Sequence, residues 1–338
     1  MIVSVVVRSR DEADRLRLTL ASLKEQTARA EIVVVNDGSA DHTADVIAEA
    51  AASLPLTVVN HATPRGRSGA ANAGARAATG DILLFLDGDT LAGPDFVARH
   101  GALHTPGDRV LARGETFHLR CTRFLRDPDT GTPAPGQEAR LARLPASELE
   151  EMRVTRDQVI GDFAAIERRA MPGIYPGAGP HRLYELEMEA IVRHPACTVL
   201  WAAVSAANLS VRRQDFLRVG GFDEALDINE HRELALRLTL EGARILPALG
   251  ARTYHMTHRS GWRDPIRRTD WQETFYRAHP IPAVKLLPLF WASLSDGGRV
   301  PAALRINSLL ELEAASRGEA DFDPDAADDF IRELAALP

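Results

Sequence analysis

Cysteine is nearly absent from this 338-residue chain: Cys121 and Cys197 stand far apart, in no ligand-like spacing. Neither a disulfide framework nor a cysteine-held zinc is suggested, and a reduced, cytoplasmic protein is the simplest expectation. Long apolar runs are missing too. The longest late stretch, "AVKLLPLFWASL", contains Lys285 and Pro288 and falls short of the roughly 20 residues that span a bilayer. The opening "MIVSVVVRSR" is too short for a signal sequence, and its arginines follow the apolar run instead of preceding it. No secretion and no integral membrane association are therefore expected. Positive charge does not predominate, with 40 Lys and Arg against 47 Asp and Glu. A net charge of -7 argues against nucleic acid as the main ligand. No G-x-x-x-x-G-K-[ST] phosphate loop occurs, and no G-x-G-x-x-G follows the first apolar run, which disfavours a Rossmann dehydrogenase. A nucleotidyltransferase would carry an early Gly-rich loop followed by Arg, and "VRSRDEADR" has no Gly.

What remains is an ordinary globular composition, 45% apolar and 26% charged, in a chain long enough for a large core. Its first hundred residues alternate between two periods. "IVSVVV", "EIVVVN", "LTVVN" and "DILLFLD" are strand-like, and "ADRLRLTLASLKEQ", "HTADVIAEAAASL" and "SGAANAGARAA" are helical. Continuous apolar strands between helices predict a parallel sheet covered on both faces, with ligands outside the carboxyl ends of the strands. "NDGS" and "DGDT" stand at two such ends. From 115 to 198 the pattern weakens into a Pro-, Gly- and charge-rich excursion. Regularity returns with "AANLSVRRQDFLRVGGFDEAL", the helix "NEHRELALRLTLEG", and strands around "ARILPA" and "ARTYHM". The chain from about Ser260 is expected to be helical. Its acidic run "EADFDPDAADDF" lacks the Gly and terminal Glu of a calcium loop and predicts a solvated helix start.

Three stretches carry chemistry. In an extended segment Asp87 and Asp89 point to one side, and Gly88 between them lets another group approach, an arrangement suited to a divalent cation. An isolated D-G-D is otherwise a plain turn, and its place at the ligand edge of the sheet favours the cation. "PRGRSGAANAG" places Arg65 and Arg67 before a small-residue helix whose N-terminus favours anions. "NDGS" is a turn with a helix cap on the bland view, and a carboxylate at the ligand edge on the other.

Together these stretches resemble the nucleotide-sugar-dependent family 2 glycosyltransferases of the GT-A fold. "VSVVVRSRDEADRLRLTLASLKEQ", "EIVVVNDGSADHT", "GRSGAANAGARAATGDILLFLDGDT" and "AANLSVRRQDFLRVGGFDEAL" match the family's motifs in order, over roughly residues 1 to 114 and 199 to 262. The resemblance implies an α/β fold with a mostly parallel central sheet flanked by helices and a helical C-terminal extension. It divides the chain into a nucleotide-sugar-binding half (1–114), an excursion near the acceptor (115–198), an acceptor-binding and catalytic half (199–260) and the extension (261–338), which offers a surface for homo-oligomerisation. Asp37 then accepts from the imide of uracil, Ser9 and Glu12 hold the nucleoside, and Arg67 lies near the base or diphosphate. Asp87 and Gly88 lie by the ribose, and Asp89 with His255 or His258 binds Mn2+ or Mg2+. The acceptor lies over Trp201 and Asn208, with Trp201 either a sugar-stacking platform or plain core. One position departs from the pattern. Where inverting members carry Glu-Asp this chain has Glu230 and His231, so either could be the base, or the enzyme retains configuration, or the chain is a non-catalytic scaffold. The missing Q-x-x-R-W and membrane helices disfavour a processive synthase. The expectation is a metal-dependent, inverting hexosyltransferase using a UDP-linked donor and a hydroxyl acceptor.

Overall fold

The computed structural model describes residues 1–172, 182–258, 270–295, 300–319 and 323–335. Its first half follows the periodicity closely: β1 (Val3–Ser9), α1 (Ala13–Lys24), β2 (Glu31–Asn36), α2 (Thr43–Ala51), β3 (Leu56–Asn60), α3 (Gly66–Ala77) and β4 (Ile82–Asp87). Strands β1, β2 and β4 are largely apolar because both of their faces are covered, whereas the edge strand β3 is mostly exposed. Alternate residues go to different sides: Val6, Val33 and Leu83 join one buried cluster, and Val5, Val7, Val34 and Leu84 join another. Strands β3, β2, β1 and β4 lie side by side and parallel, with Ser9 paired to Asn36 and Arg8 to Asp87. Their carboxyl ends therefore open on one edge.

The second half is less regular. It continues through β5 (Thr90–Ala92), α4 (Phe96–Gly101) and β6 (Val110–Leu119), a strand that runs across the expected division at 114. The excursion, where the sequence pattern weakens, has structure of its own. A small hairpin of β7 (Leu125–Asp127) and β8 (Thr132–Pro133) is followed by α5 (Glu138–Leu141), α6 (Ala146–Met152), α7 (Arg156–Gly161), α8 (Phe163–Glu167) and β9 (Met171–Pro172). The short helices escaped periodicity because each spans fewer than three turns; α7 is set by a capping box in which Thr155 and Gln158 bond each other's backbone. Arg15 ties this region to the core by donating to the carbonyls of Leu125, Arg126 and Met256.

Then come α9 (Arg182–Arg193), β10 (Leu209–Arg212), α10 (Arg213–Arg218), α11 (Glu230–Leu240) and β11 (Arg244–Met256), followed by α12 (Asp270–Ala278), α13 (Pro282–Ser295), α14 (Leu309–Ser316) and α15 (Pro324–Ala335). The full sheet runs β3-β2-β1-β4-β10-β6-β11-β5, with β9 on β6. It is mixed and mostly parallel, as expected. β10 is antiparallel to β4 and β6, and β11 is antiparallel to β5. No short crossover helix joins β4 to β10, so the rule that makes βαβ units parallel does not act there. "ARILPA" and "ARTYHM" are one strand, β11, whose register against β6 slips between Ala248 and Arg252.

The C-terminal helices are not a separate lobe. Trp271, Phe275, Leu287 and Phe290 share one apolar cluster with Trp201, Leu234 and Val6. Helix α15 starts as the acidic run predicts, with Asp323 Oδ1 accepting from the N–H groups of Asp325 and Ala326. The expected division at 260 lies outside the described residues. Among the described residues no helix is long and apolar enough to cross a membrane.

Candidate active site

Two strand pairings assemble the D-G-D stretch. Asp87 ends β4 opposite Arg8 of β1. Asp89 precedes β5, which pairs with β11 so that Thr90 faces His255, and the Met256 N–H donates to the Asp89 carbonyl at 2.9 Å. This pairing brings a late strand to the end of an early one. Asp89 Oδ2 lies 3.1 Å from His255 Nε2 and 2.8 Å from His258 Nε2, while Oδ1 accepts from the Thr90 hydroxyl. The three ligand atoms all lie within 4.8 Å of one another. The sequence left a choice between the two histidines; both are at Asp89. Burial alone would raise the Asp89 pKa, but His255 and His258 hold it well below the usual carboxylate range. Burial likewise disfavours the His255 cation, and Asp89 outweighs this and raises the imidazole's pKa. Behind it, His118 Nδ1 sits 3.2 Å from His255 Nδ1. One carboxylate oxygen and two imidazole nitrogens are a donor set able to hold a divalent transition metal.

Gly88 is required by space. A Cβ there would stand 2.6 Å from Glu12 Oε1 and 2.8 Å from Ser9 Oγ. The first loop therefore presses directly on the D-G-D backbone. Burial, then Asp89 and Asp87, push the Glu12 pKa well above its ordinary value. Three carboxylates converging from two loops make this edge strongly attractive to a cation.

Across the cleft stands Glu230, the first residue of α11, with 1% of its surface exposed. It follows Asn229, whose left-handed backbone (φ 71°) turns the chain into the helix. Arg8 bridges the two sides, donating from Nε to Asp87 Oδ1 at 2.6 Å and from Nη1 to Glu230 Oε1 at 3.3 Å. Among the described residues Glu230 Oε2 has no hydrogen-bond partner, and His231 Nδ1 stands off at 3.6 Å. Burial would raise the Glu230 pKa; His231, Arg8 and Arg67 together hold it far below the usual range. His231 Nε2 lies 2.8 Å from Arg232 Nη1. A guanidinium only donates, so Nε2 is the acceptor and the neutral ring carries its proton on Nδ1, towards Glu230. Arg232 is itself fixed by the Ala202 carbonyl, by Asn229 Oδ1 and by buried Glu187, which also pairs with Arg113 at 2.5 Å.

With this geometry in place, sequence comparison adds a likeness over the first third of the chain. Residues 4–114 match the family described as Glycosyl transferase family 2. It is 29% identical over 311 residues to a validoxylamine A glucosyltransferase of Streptomyces hygroscopicus subsp. jinggangensis, covering 88% of this chain and 64% of that one. The chain thus spans less than two thirds of that relative's length. Among solved structures, Staphylococcus aureus TarS 1-349 in complex with UDP-GlcNAc superposes with a TM-score of 0.56 at 14% identity, over 100% of this chain and 93% of that one. GalNAc-T7 with UDP, GalNAc and Mn2+ superposes with a TM-score of 0.51 at 16% identity, over 98% and 56%. These likenesses show the GT-A fold.

The family 2 match ends at Gly114, so Ser9, Glu12, Asp37, Arg67, Asp87, Gly88 and Asp89 lie inside it, and Glu230, His231, His255 and His258 lie beyond it. Asp37 and Asn208 do not stand as expected, and Trp201 takes the second of its two expected readings. Asp37 is only 4% exposed, and its carboxylate accepts from the N–H groups of Arg65 and Gly66 and meets His61 Nδ1 at 2.7 Å. It pins the β3–α3 loop instead of facing an open base site. In the same turn Gly38 adopts φ +67°, and a Cβ there would meet the Pro64 nitrogen at 2.8 Å. Trp201 is 1% exposed and packs edge-on against Phe275, so it offers no face to a sugar and is core. Asn208 is fully buried. Its amide donates to the carbonyls of Glu115 and Ala251 and to Thr253 Oγ1, filling the irregularity in β11, and its Oδ1 faces His100 Nε2. Neither residue is placed to touch an acceptor. Arg67, in the first turn of α3, is half-buried, and its charge reaches Glu230. Sequence reasoning overlooked Arg8, His118 and Arg232. A charged residue at the end of the buried "VSVVVR" run was the one visible signal.

Proposed function

We propose that the protein transfers a hexosyl group from a nucleotide-diphosphate sugar, UDP-linked, to a hydroxyl of a small-molecule or glycan acceptor, with inversion. The observation that carries this reading is the convergence of Asp89, His255 and His258 at the carboxyl edge of the parallel strands, with the unpartnered Glu230 Oε2 across the cleft. Bound there, a divalent cation would offset the charge of the departing nucleoside diphosphate. Two imidazoles beside one carboxylate suit Mn2+ better than Mg2+, which prefers oxygens and retained water. The Mn2+ and UDP with GalNAc-T7, and the UDP-GlcNAc with TarS, support the same donor chemistry. Sugar identity follows the glucosyltransferase relative.

Glu230 Oε2 takes the proton of the acceptor hydroxyl as its oxygen attacks the anomeric carbon and the bond to the diphosphate breaks. His231 is not the base in this reading. Its one lone pair is engaged by Arg232, which leaves the ring no site to accept a proton. Arg67 and the N-terminus of α3 face the diphosphate, Asp87 the ribose, and Ser9 and Glu12 the nucleoside. Asp37 acts on the base site through the loop it holds. The test is thermal unfolding with UDP- and GDP-hexoses in Mn2+ and again in EDTA, since a ligand of the native state raises its melting temperature. One nucleotide sugar should raise it in Mn2+ alone, and the transferred sugar should carry the opposite anomeric configuration. Equal protection in EDTA, or a retained configuration, refutes the corresponding part.

A further inference from the structure

Strand β1 is built from Val and Ser except for Arg8. The guanidinium is 10% exposed and sits between two carboxylates from opposite halves of the cleft, Asp87 at the end of β4 and Glu230 at the start of α11. Its two bonds use different nitrogens, Nε and Nη1. A planar fork can serve two acceptors in fixed directions, whereas an ammonium is a point charge without that geometry. Among the described residues, Arg8 from β1 and His231 from its own helix stand beside Glu230, and the charge of Arg67 from α3 also reaches it. Of these, Arg8 also bonds a donor-side carboxylate. We propose that Arg8 is a positioning residue that joins the donor site to the base, holding Glu230 Oε1 from the strand that carries Asp87 so that Oε2 is presented to the acceptor. The inference rests on the reading of Glu230 as base.

Two consequences follow. Arg8 sets where the carboxylate lies, so its loss lowers kcat more than donor affinity. It also helps keep a buried carboxylate ionised, so its loss moves the acid limb of the rate profile upward. Because Arg8 acts through Glu230, removing both should be no worse than removing Glu230 alone.

The experiment follows UDP release from UDP-glucose with Mn2+, water serving as acceptor, together with UDP binding by calorimetry. Arg8→Gln should lower kcat by about 10- to 100-fold with KM for UDP-glucose nearly unchanged. With Mn2+ kept saturating at each pH, its acid limb should shift upward. Arg8→Lys should keep the limb near its wild-type position and recover part of kcat. The double variant Arg8→Gln with Glu230→Gln should match Glu230→Gln alone. If Arg8→Gln does not fold, Arg8→Lys and the double variant, which removes the whole charge pair, carry the comparison. Wild-type kcat and limb in Arg8→Gln, or a double variant slower than Glu230→Gln by the full single-variant factor, overturns the role of Arg8. Wild-type kcat in Glu230→Gln would instead overturn the base reading, and the inference with it.

Discussion

His118 offers a direct measurement of whether the Asp89, His255 and His258 cluster is a metal centre. It faces His255 across paired strands β6 and β11, with Nδ1 atoms 3.2 Å apart and rings nearly perpendicular at 89°. For His255 to offer its Nε2 lone pair to a cation, the ring proton must sit on Nδ1, where His118 Nδ1 can accept it. His118→Phe keeps a ring of similar size in a site only 8% exposed and removes that acceptor. Loss of such a partner behind a metal-ligating histidine weakens metal binding by about 10- to 100-fold, or about 1.4 to 2.7 kcal/mol. The assay is calorimetric titration with Mn2+ at constant ionic strength, with melting curves to verify the fold. The pH dependence gives an internal check. The His255 pKa is raised above its ordinary value, so below that raised value a cation must displace a proton, and Mn2+ affinity should climb with pH until the imidazole is neutral. Unchanged Mn2+ affinity in His118→Phe, or Mn2+ binding that survives Asp89→Ala, refutes the assignment.

Asp37→Ala should lower stability by about 1 to 3 kcal/mol, because it strips partners from two backbone N–H groups of the β3–α3 loop. UDP affinity should fall with it, and Asp37→Asn should recover part of both; full stability in urea titration of the alanine variant would show that the loop is held otherwise. A second expectation concerns acid. His100 and His104 are hydrogen-bonded to Ser210 inside the core, and burial lowers each pKa from 6.5 to about 4. The unfolded chain takes up these protons first. Their contribution is therefore complete above pH 6.5 and is lost as pH falls towards 4, by up to about 3 kcal/mol for each imidazole. Urea midpoints at pH 7.5 and pH 5 should show a smaller acid loss in His104→Gln than in wild type; an equal loss would place acid sensitivity in the carboxylates.

The strands and the D-G-D stretch were legible because their signals are local. A β-branched run buried on both faces, ending in Asp-Gly-Asp, announces both the sheet and its ligand edge within ten residues. The histidines were legible only as candidates, since what joins them to Asp89 is the pairing of β5 with β11, and nothing in a three-residue strand predicts its partner. β10 shows the same limit in its antiparallel direction, which no local pattern encodes.

The charged residues were hardest to place, for a reason that lies in electrostatics. In a buried cleft a charge is stable only beside its complement, so each side chain's role is decided by neighbours remote in sequence. Asp87, Arg8, Glu230, His231, Arg232, Glu187 and Arg113 form one connected series drawn from five elements, and from Arg8 to Arg113 no two like charges stand in succession. The sequence showed Glu230 beside His231 and left either as base. Arg232, the very next residue, favours Glu230 in the proposed reading, because Glu187 of α9 and the Ala202 carbonyl turn its guanidinium onto the His231 lone pair. Adjacency in the chain made the question visible, and the contact that bears on it comes from a helix some forty residues earlier.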